Sequence, residues 1–255
     1  MKKLTIVKVG GKVVENPESL TAFLNDFSLI AGDKILIHGG GRSATALSEK
    51  LGLKTNMVEG RRITDAETLK VIIMIYAGLV NKNIVAQLQK LHVDAIGLTG
   101  ADLNLIISDK RPVKEIDYGF VGNIKEINTQ VFIELLKRNY VPVIAPVTHD
   151  GKGNLLNTNA DTIASEIAKT LAFDYNVRLI YCFEKRGVLM NEADEESLIP
   201  VLDFELYQQY KNEGIIQGGM IPKLDNAFRA IASGVKEVVI TSASDVNKEK
   251  GTVIR

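Results

Sequence analysis

Apolar runs of strand length alternate with helix-periodic segments along the whole chain. Residues 4–9, 34–37, 95–98, 141–147, 177–182 and 235–240 are rich in valine and isoleucine and mostly lack a polar alternate position. Such runs predict parallel strands covered on both faces. Between them the period shifts to that of helices, with recognisable starts. Asn16-Pro17-Glu18 offers an N-cap, a first-turn proline and an early acid. Thr64-Asp65-Ala66-Glu67 reads as a capping box with Thr64 as the cap. Asn128 precedes a segment carrying Val131, Phe132, Leu135 and Leu136 on one face. Ala160, Ile163, Ala164, Ile167, Ala168 and Leu171 form a core-facing stripe, and Leu224, Phe228 and Ile231 form another. Strands alternating with helices predict an α/β fold, a three-layer αβα sandwich around a mostly parallel sheet.

Residues 105–127 break the rhythm. Asp109, Arg111-Pro112, Asp117, Gly119 and Gly122 separate short β-prone runs, which predicts hairpin material projecting from the sheet. A lobe boundary is expected near residues 170–178, dividing the chain into 1–173 and 174–255.

Composition narrows the function classes. Lys+Arg and Asp+Glu stand equal at 31 each, so nothing draws the chain broadly to nucleic acid or a membrane surface. One cysteine, Cys182, excludes an internal disulfide framework and fits a reducing cytoplasm. The N-terminal strand is too short for a signal peptide, and no apolar run approaches the length that spans a bilayer. A soluble cytoplasmic protein is expected.

Two lysines stand where folding alone would not put them. Lys8 lies in the apolar run 4–9 just before Gly10-Gly11, and Lys223 follows Gly218-Gly219 at the start of a helix. A lysine on a buried strand is costly unless an anion or water meets it. In a first helical turn it opposes the helix dipole. Two such cations beside flexible backbone predict a site that grips phosphate from two sides.

Gly10-Gly11 and His38-Gly39-Gly40-Gly41 each follow a strand, at the sheet edge where ligands bind in open parallel sheets. There they would bring backbone N–H groups to an anion with no Cβ in the way. The plainer reading is two tight strand-to-helix turns. Neither run matches the P-loop or the dinucleotide fingerprint. Asn157-Thr158-Asn159-Ala160-Asp161 is either a generous N-cap or a site segment, with Asn157 facing a substrate and Asp161 holding the lysines. Arg61-Arg62 suits carboxylate recognition, although an arginine at a helix entrance is ordinarily solvated surface. The three histidines follow no metal-ligand spacing, and no nucleophile elbow or serine triad can be assembled. His38, at the end of a buried strand, reads as a packing or hydrogen-bonding residue.

In order, Lys8–Gly11, His38–Gly41, residues 60–65, 97–102, 119–122, 141–146, 157–161, 218–223 and 251–254 closely resemble the N-acetylglutamate kinases of the amino acid kinase family. The resemblance spans essentially the whole chain. It implies the amino acid kinase fold, with ATP-dependent phosphorylation of the γ-carboxylate of an N-acylated glutamate in arginine biosynthesis. By the same resemblance Lys8 and Lys223 stabilise the transferring phosphoryl group, and Asp161 orients both. Gly40, Gly41, Arg62 and Asn157 hold the acylamino acid in the N-terminal lobe, with Arg62 on its α-carboxylate. Gly10, Gly11, Glu184, Gly187, Gln217, Gly218 and Gly219 contact ATP, which brings Mg2+ with no protein-held metal. A carboxylate nucleophile is already ionised and needs no general base, which agrees with an inventory of two lysines and no catalytic histidine.

The chain departs from the family pattern in three places. Phe183-Glu184-Lys185-Arg186 stands where a Ser/Thr-Asp-Val segment is usual, and Arg42 and Arg61 replace a common proline and an apolar residue. The added arginines raise the expectation that the acyl group carries its own carboxylate, as in N-succinylglutamate, with Arg42 among the substrate contacts. Two solvated surface arginines are the alternative. No helical extension precedes the first strand, so a homodimer without arginine feedback is expected. Competing readings are another member of the family and a non-catalytic amino-acid sensor of the same fold.

Overall fold

A computed structural model describes residues 1–58, 61–191, 193–248 and 250–255. Its centre is an eight-stranded sheet in which Lys2–Val9 lies between Tyr175–Phe183 and Asp33–His38, parallel to both. Val141–Ile144 and then Ala95–Leu98 extend the parallel sheet beyond Asp33–His38. Glu237–Ser242 extends it on the other side. Thr252–Ile254 runs antiparallel to Glu237–Ser242, and Val201–Leu202 closes that edge beside it. The six strands that share a direction are the six apolar runs of the sequence. Their side chains feed two hydrophobic cores, one on each face, which makes the three layers.

Alternation along the first strand decides where its lysine points. Leu4 and Ile6 enter one core, and Val7 and Val9 the other. Lys8 shares the parity of Leu4 and Ile6, so it faces the layer that contains Ala160–Leu171 and Met220–Ala232.

Three local features differ from the sequence reading. The run 141–147 is two strands: Val141–Ile144 belongs to the main sheet, and Val147–His149 to a separate four-stranded sheet. Pro146 between them has no N–H for a ladder, and the chain turns there with Val147 N–H donating to Ala145 O at 2.8 Å. Second, Asp65, not Thr64, caps the helix Ala66–Ile72, accepting from Thr68 N–H at 2.7 Å. Thr64 is fully buried, and its hydroxyl accepts from the Asn157 amide. Third, the helical segments from Ala66 through Lys90 form one rod that, by its length and mean hydropathy of 1.5, could cross a membrane. Its continuous apolar stretch covers only residues 71–80, bounded by Lys70 and Asn81-Lys82. Val71, Ile72, Ile75, Tyr76, Ile84 and Leu88 pack into one core, as on a core helix.

The projecting segment is a hairpin, as its composition suggested. Ile106–Lys110 pairs antiparallel with Gly122–Ile127 in the four-stranded sheet, beside Val147–His149 and Leu155–Asn157. This small sheet stands next to the carboxyl ends of the main strands and forms one wall of the cleft.

Candidate active site

Strand order brings the two glycine runs together. Val9 and His38 pair across adjacent strands, so Gly10-Gly11 and Gly39-Gly40 leave the sheet side by side. Gly39 N–H donates to Val9 O at 3.1 Å, and a Cβ on Gly39 would stand 3.1 Å from Gly11 N. That approach leaves little room for a side chain. His38 beneath them is fully buried, and burial, despite help from Gly39 O, lowers its pKa to about 4. Its Nδ1–H donates to Gly39 O at 2.8 Å, leaving Nε2 to accept from Asn81 at 3.2 Å. His38 is therefore a neutral strut of the loop.

Lys8, Asp161 and Lys223 meet beside these loops. Lys8 Nζ lies 2.8 Å from Asp161 Oδ1, and Lys223 Nζ lies 3.1 Å from Oδ2. Asp161 projects from the first turn of Ala160–Leu171, capped by Asn159, whose side chain accepts from Thr162 N–H. A helix N-terminus favours that carboxylate. Burial pushes the Asp161 carboxyl up, but the two lysines hold it well below the ordinary carboxylate range. Its folded pKa thus lies under the unfolded value of 3.8, so this stabilisation is present above that pH and lost as pH falls through the folded value.

Lys223 has the opposite balance. Burial pulls its ammonium down and Lys8 adds to that, which outweighs the pull of Asp161 upward. Its Nζ sits 5.3 Å from the ring centre of Tyr181 and 5.9 Å from that of Phe183. Phe183, the first residue of the unusual segment 183–186, thus flanks the lysine.

A cavity of about 440 Å³ opens from Lys8 along the glycine loops. It joins Lys8, Gly11, Gly40, Gly41, Arg62 and Asn157, six of the residues singled out from the sequence. Arg62 is only 7% exposed; it donates to Gly41 O at 2.9 Å, Thr45 Oγ1 at 2.7 Å and Thr55 Oγ1 at 3.2 Å. Asn157 donates its amide to Thr64 Oγ1 at 3.0 Å. Gly119 packs onto the Thr64 carbonyl at φ 71°, where a Cβ would collide with it. Gly60, part of the motif containing Arg62, lies outside the described residues.

Arg61 lines the same cavity, whereas Arg42, Glu184, Gly187, Gln217, Gly218, Gly219 and Gly10 lie outside that lining. Glu184 forms an ion pair with Lys12, joining the loop after Tyr175–Phe183 to the helix after Gly10. Burial raises the Glu184 carboxyl, and Lys12, with a smaller share from Arg42, holds it below the ordinary range. Arg42 is thus near enough to Glu184 for its charge to act on that carboxylate. Gly187 is buried where a Cβ would crowd Leu198 and Thr252, so packing accounts for it. Gln217 donates to Gly214 O in the turn before Met220–Ala232, while Gly218 (φ 54°) and Gly219 face open space. Gly10 ties the loop to the neighbouring strand, donating to Cys182 O at 2.9 Å.

Tyr76, Arg111 and Asn123 line the cavity without having been singled out as site residues. Arg111 and Asn123 come from the hairpin, whose pairing alone brings them to the cleft. Among the described residues, no group of three or more His, Cys, Asp or Glu is placed to hold a metal.

The sequence profile of the amino acid kinase family matches residues 3–242. The chain belongs to the amino acid kinase family, and its three-layer sheet is the amino acid kinase fold. Among curated proteins it is similar to the acetylglutamate kinase of Parabacteroides distasonis, 60% identical over 99% of each chain. It is 59% identical to that of Bacteroides fragilis, covering all of this chain and 97% of the relative. Among solved structures, smu.665 from Streptococcus mutans superposes with a TM-score of 0.81 at 27% identity over 98% of both chains.

The opposing influences on Lys223 give a direct check. Its Nζ should titrate below the ordinary lysine value of 10.5 when followed by NMR, and lower still in Asp161→Asn, which removes the carboxylate's upward pull. A Lys223 titration at or above 10.5 in the parent protein would contradict this electrostatic account.

Proposed function

We propose that the protein transfers the terminal phosphoryl group of ATP to the γ-carboxylate of an N-acylated L-glutamate, N-acetyl-L-glutamate as in its relatives' name, at an early step of arginine biosynthesis. The observation that carries this reading is the Lys8–Asp161–Lys223 cluster beside paired glycine loops, in a chain 60% identical to an acetylglutamate kinase. The product is the N-acyl-γ-glutamyl phosphate.

The chemistry follows from charge. The attacking carboxylate needs no base at neutral pH; it needs relief from repulsion by the phosphates. Lys8 and Lys223 approach from a strand and a helix, so the phosphoryl group passes between two cations held by one carboxylate. Phosphoryl transfer is chiefly positioning and electrostatic stabilisation. The Gly11, Gly40 and Gly41 backbone would crowd close to the transferring group, and Arg62 would pair with the α-carboxylate. Magnesium would arrive on the ATP phosphates: both oxygens of Asp161 face lysines, and among the described residues no group of acids stands with it to hold a metal.

Residues 1–173 would hold the acylamino acid and 174–255 the nucleotide. In support, every residue lining the cavity precedes 174, while Glu184, Gln217, Gly218 and Gly219 follow it. The reading includes a cytoplasmic homodimer without nucleic-acid or membrane partners. Met74 (52% exposed) and Leu79 (64% exposed) on the rod from Ala66 to Lys90 offer an apolar strip for a second copy.

Turnover is tested by a coupled ADP assay with hydroxylamine trapping of the acyl phosphate. Lys8→Ala and Lys223→Ala should each cost roughly 10²–10³ in kcat, about 3–4 kcal/mol, while circular dichroism stays that of the parent. Near-parental turnover in either variant would overturn their assignment. No turnover on any glutamate derivative by the parent protein would favour an amino-acid sensor instead. For the dimer, Leu79→Glu should yield monomers in sedimentation; a parent protein that is itself monomeric would defeat that part of the proposal.

A further inference from the structure

The charges lining the cavity do not balance for a ligand with two carboxylates. Lys8, Arg61, Arg62, Arg111 and Glu166 are its ionised lining residues. Lys8 is matched by Asp161, and Glu166 is matched by Lys169 at 2.6 Å. The three arginines have no carboxylate partner among the described residues. An N-acetylglutamate would bring its γ-carboxylate to the lysines and its α-carboxylate to the buried Arg62. Arg61 and Arg111 would remain unmatched.

These two arginines are neighbours, and one of them is built in. Arg111 donates Nε–H and an Nη2–H to Asn123 Oδ1 at 3.0 and 2.9 Å, and its guanidinium lies 5.2 Å from the Tyr118 ring centre. Both hydrogen bonds fall on one side of the planar fork, which fixes its plane and leaves Nη1 free for an incoming acceptor. Partial burial lowers the Arg111 pKa, and the charge of Arg61 lowers it further. Two guanidinium groups close enough to repel are stabilised by an anion between them.

Their position also fits an extended ligand. Arg61, Arg111 and Asn123 line the main cavity and a second one, bounded by Pro112, Tyr118 and the rest of the hairpin loop. They therefore stand at the passage from one to the other. Arg42, the other arginine raised by the sequence, is absent from both linings.

We infer that Arg61 and Arg111 bind a carboxylate at the far end of the acyl chain, so that the favoured acceptor is a glutamate N-acylated by a short dicarboxylic acid such as succinic acid. The inference rests on the phosphotransfer reading and deepens it. Here a dianionic acceptor becomes trianionic, and the third charge meets a pair of cations that form no ion pair among the described residues. The hydrogen bonds are charge-assisted and the site lies partly out of water, which makes the terminal group a specificity determinant.

The test compares kcat/KM of the parent protein for N-acetyl-, N-succinyl- and N-succinamoylglutamate, the last carrying a neutral carboxamide in place of the terminal carboxylate. The succinyl compound should exceed both others by roughly 10- to 100-fold, the range of a charge-assisted hydrogen bond. Arg61→Gln and Arg111→Gln should each lower the succinyl-to-acetyl ratio by about tenfold. Equal or better use of the acetyl compound, or equal use of succinyl and succinamoyl, would overturn the inference and leave phosphotransfer standing. Failure of all three acceptors would overturn both. The comparison of acceptors uses only the parent protein, so it decides the matter even if a variant fails to fold.

Discussion

One carboxylate, shared by two ammonium groups, organises the cleft. Asp161 sits 2.8 Å from Lys8 and 3.1 Å from Lys223, which reach it from the central strand and from the first turn of a helix. Neither lysine is favoured where it stands, since the strand is buried and the helix dipole opposes a cation at its N-terminus. Asp161 offsets both costs from a helix start where an anion is favoured. The sheet makes the meeting possible, because the parity of Leu4 and Ile6 turns Lys8 toward the layer that holds the other two residues.

The cleft divides into two electrostatic regions. Near Asp161 the cations are largely matched, and the remaining charge suits an anionic group that passes through without being held. Farther along, arginines outnumber their partners and suit stable ligand carboxylates. Between them lie backbone loops braced by a neutral histidine, His38, whose pKa of about 4 keeps it from acting as a charged group at physiological pH. Lys12 and Glu184 tie the glycine loop to the loop after Tyr175–Phe183, so the segment 183–186 contributes an ion pair and an aromatic flank to Lys223.

Much of this was legible in the chain. Parallel strands buried on both faces write themselves as unbroken apolar runs, and each of the six such runs holds a strand of the shared direction, although the run 141–147 also reaches into the smaller sheet. Lys8, Lys223 and Asp161 were legible because each violates or satisfies a local rule about charge. Arg111 was not, since its place depends on the pairing of Ile106–Lys110 with Gly122–Ile127, a contact no local pattern encodes. Thr64 was misread for a related reason: two adjacent residues can each cap a helix, and only the approach of Gly119 and Asn157 shows which was needed elsewhere. The break at Pro146 was visible as a residue, but hydrophobicity on either side concealed it.

The central claim is that Lys8 and Lys223 act as one unit through Asp161. A double-mutant cycle on kcat tests it most directly, with Lys8→Ala, Lys223→Ala and the pair measured under saturating ATP and acceptor. Residues that serve one transition state together lose their effects non-additively. The account predicts that the double variant is little slower than the slower single variant. A double variant whose loss equals the product of the two single losses would contradict it.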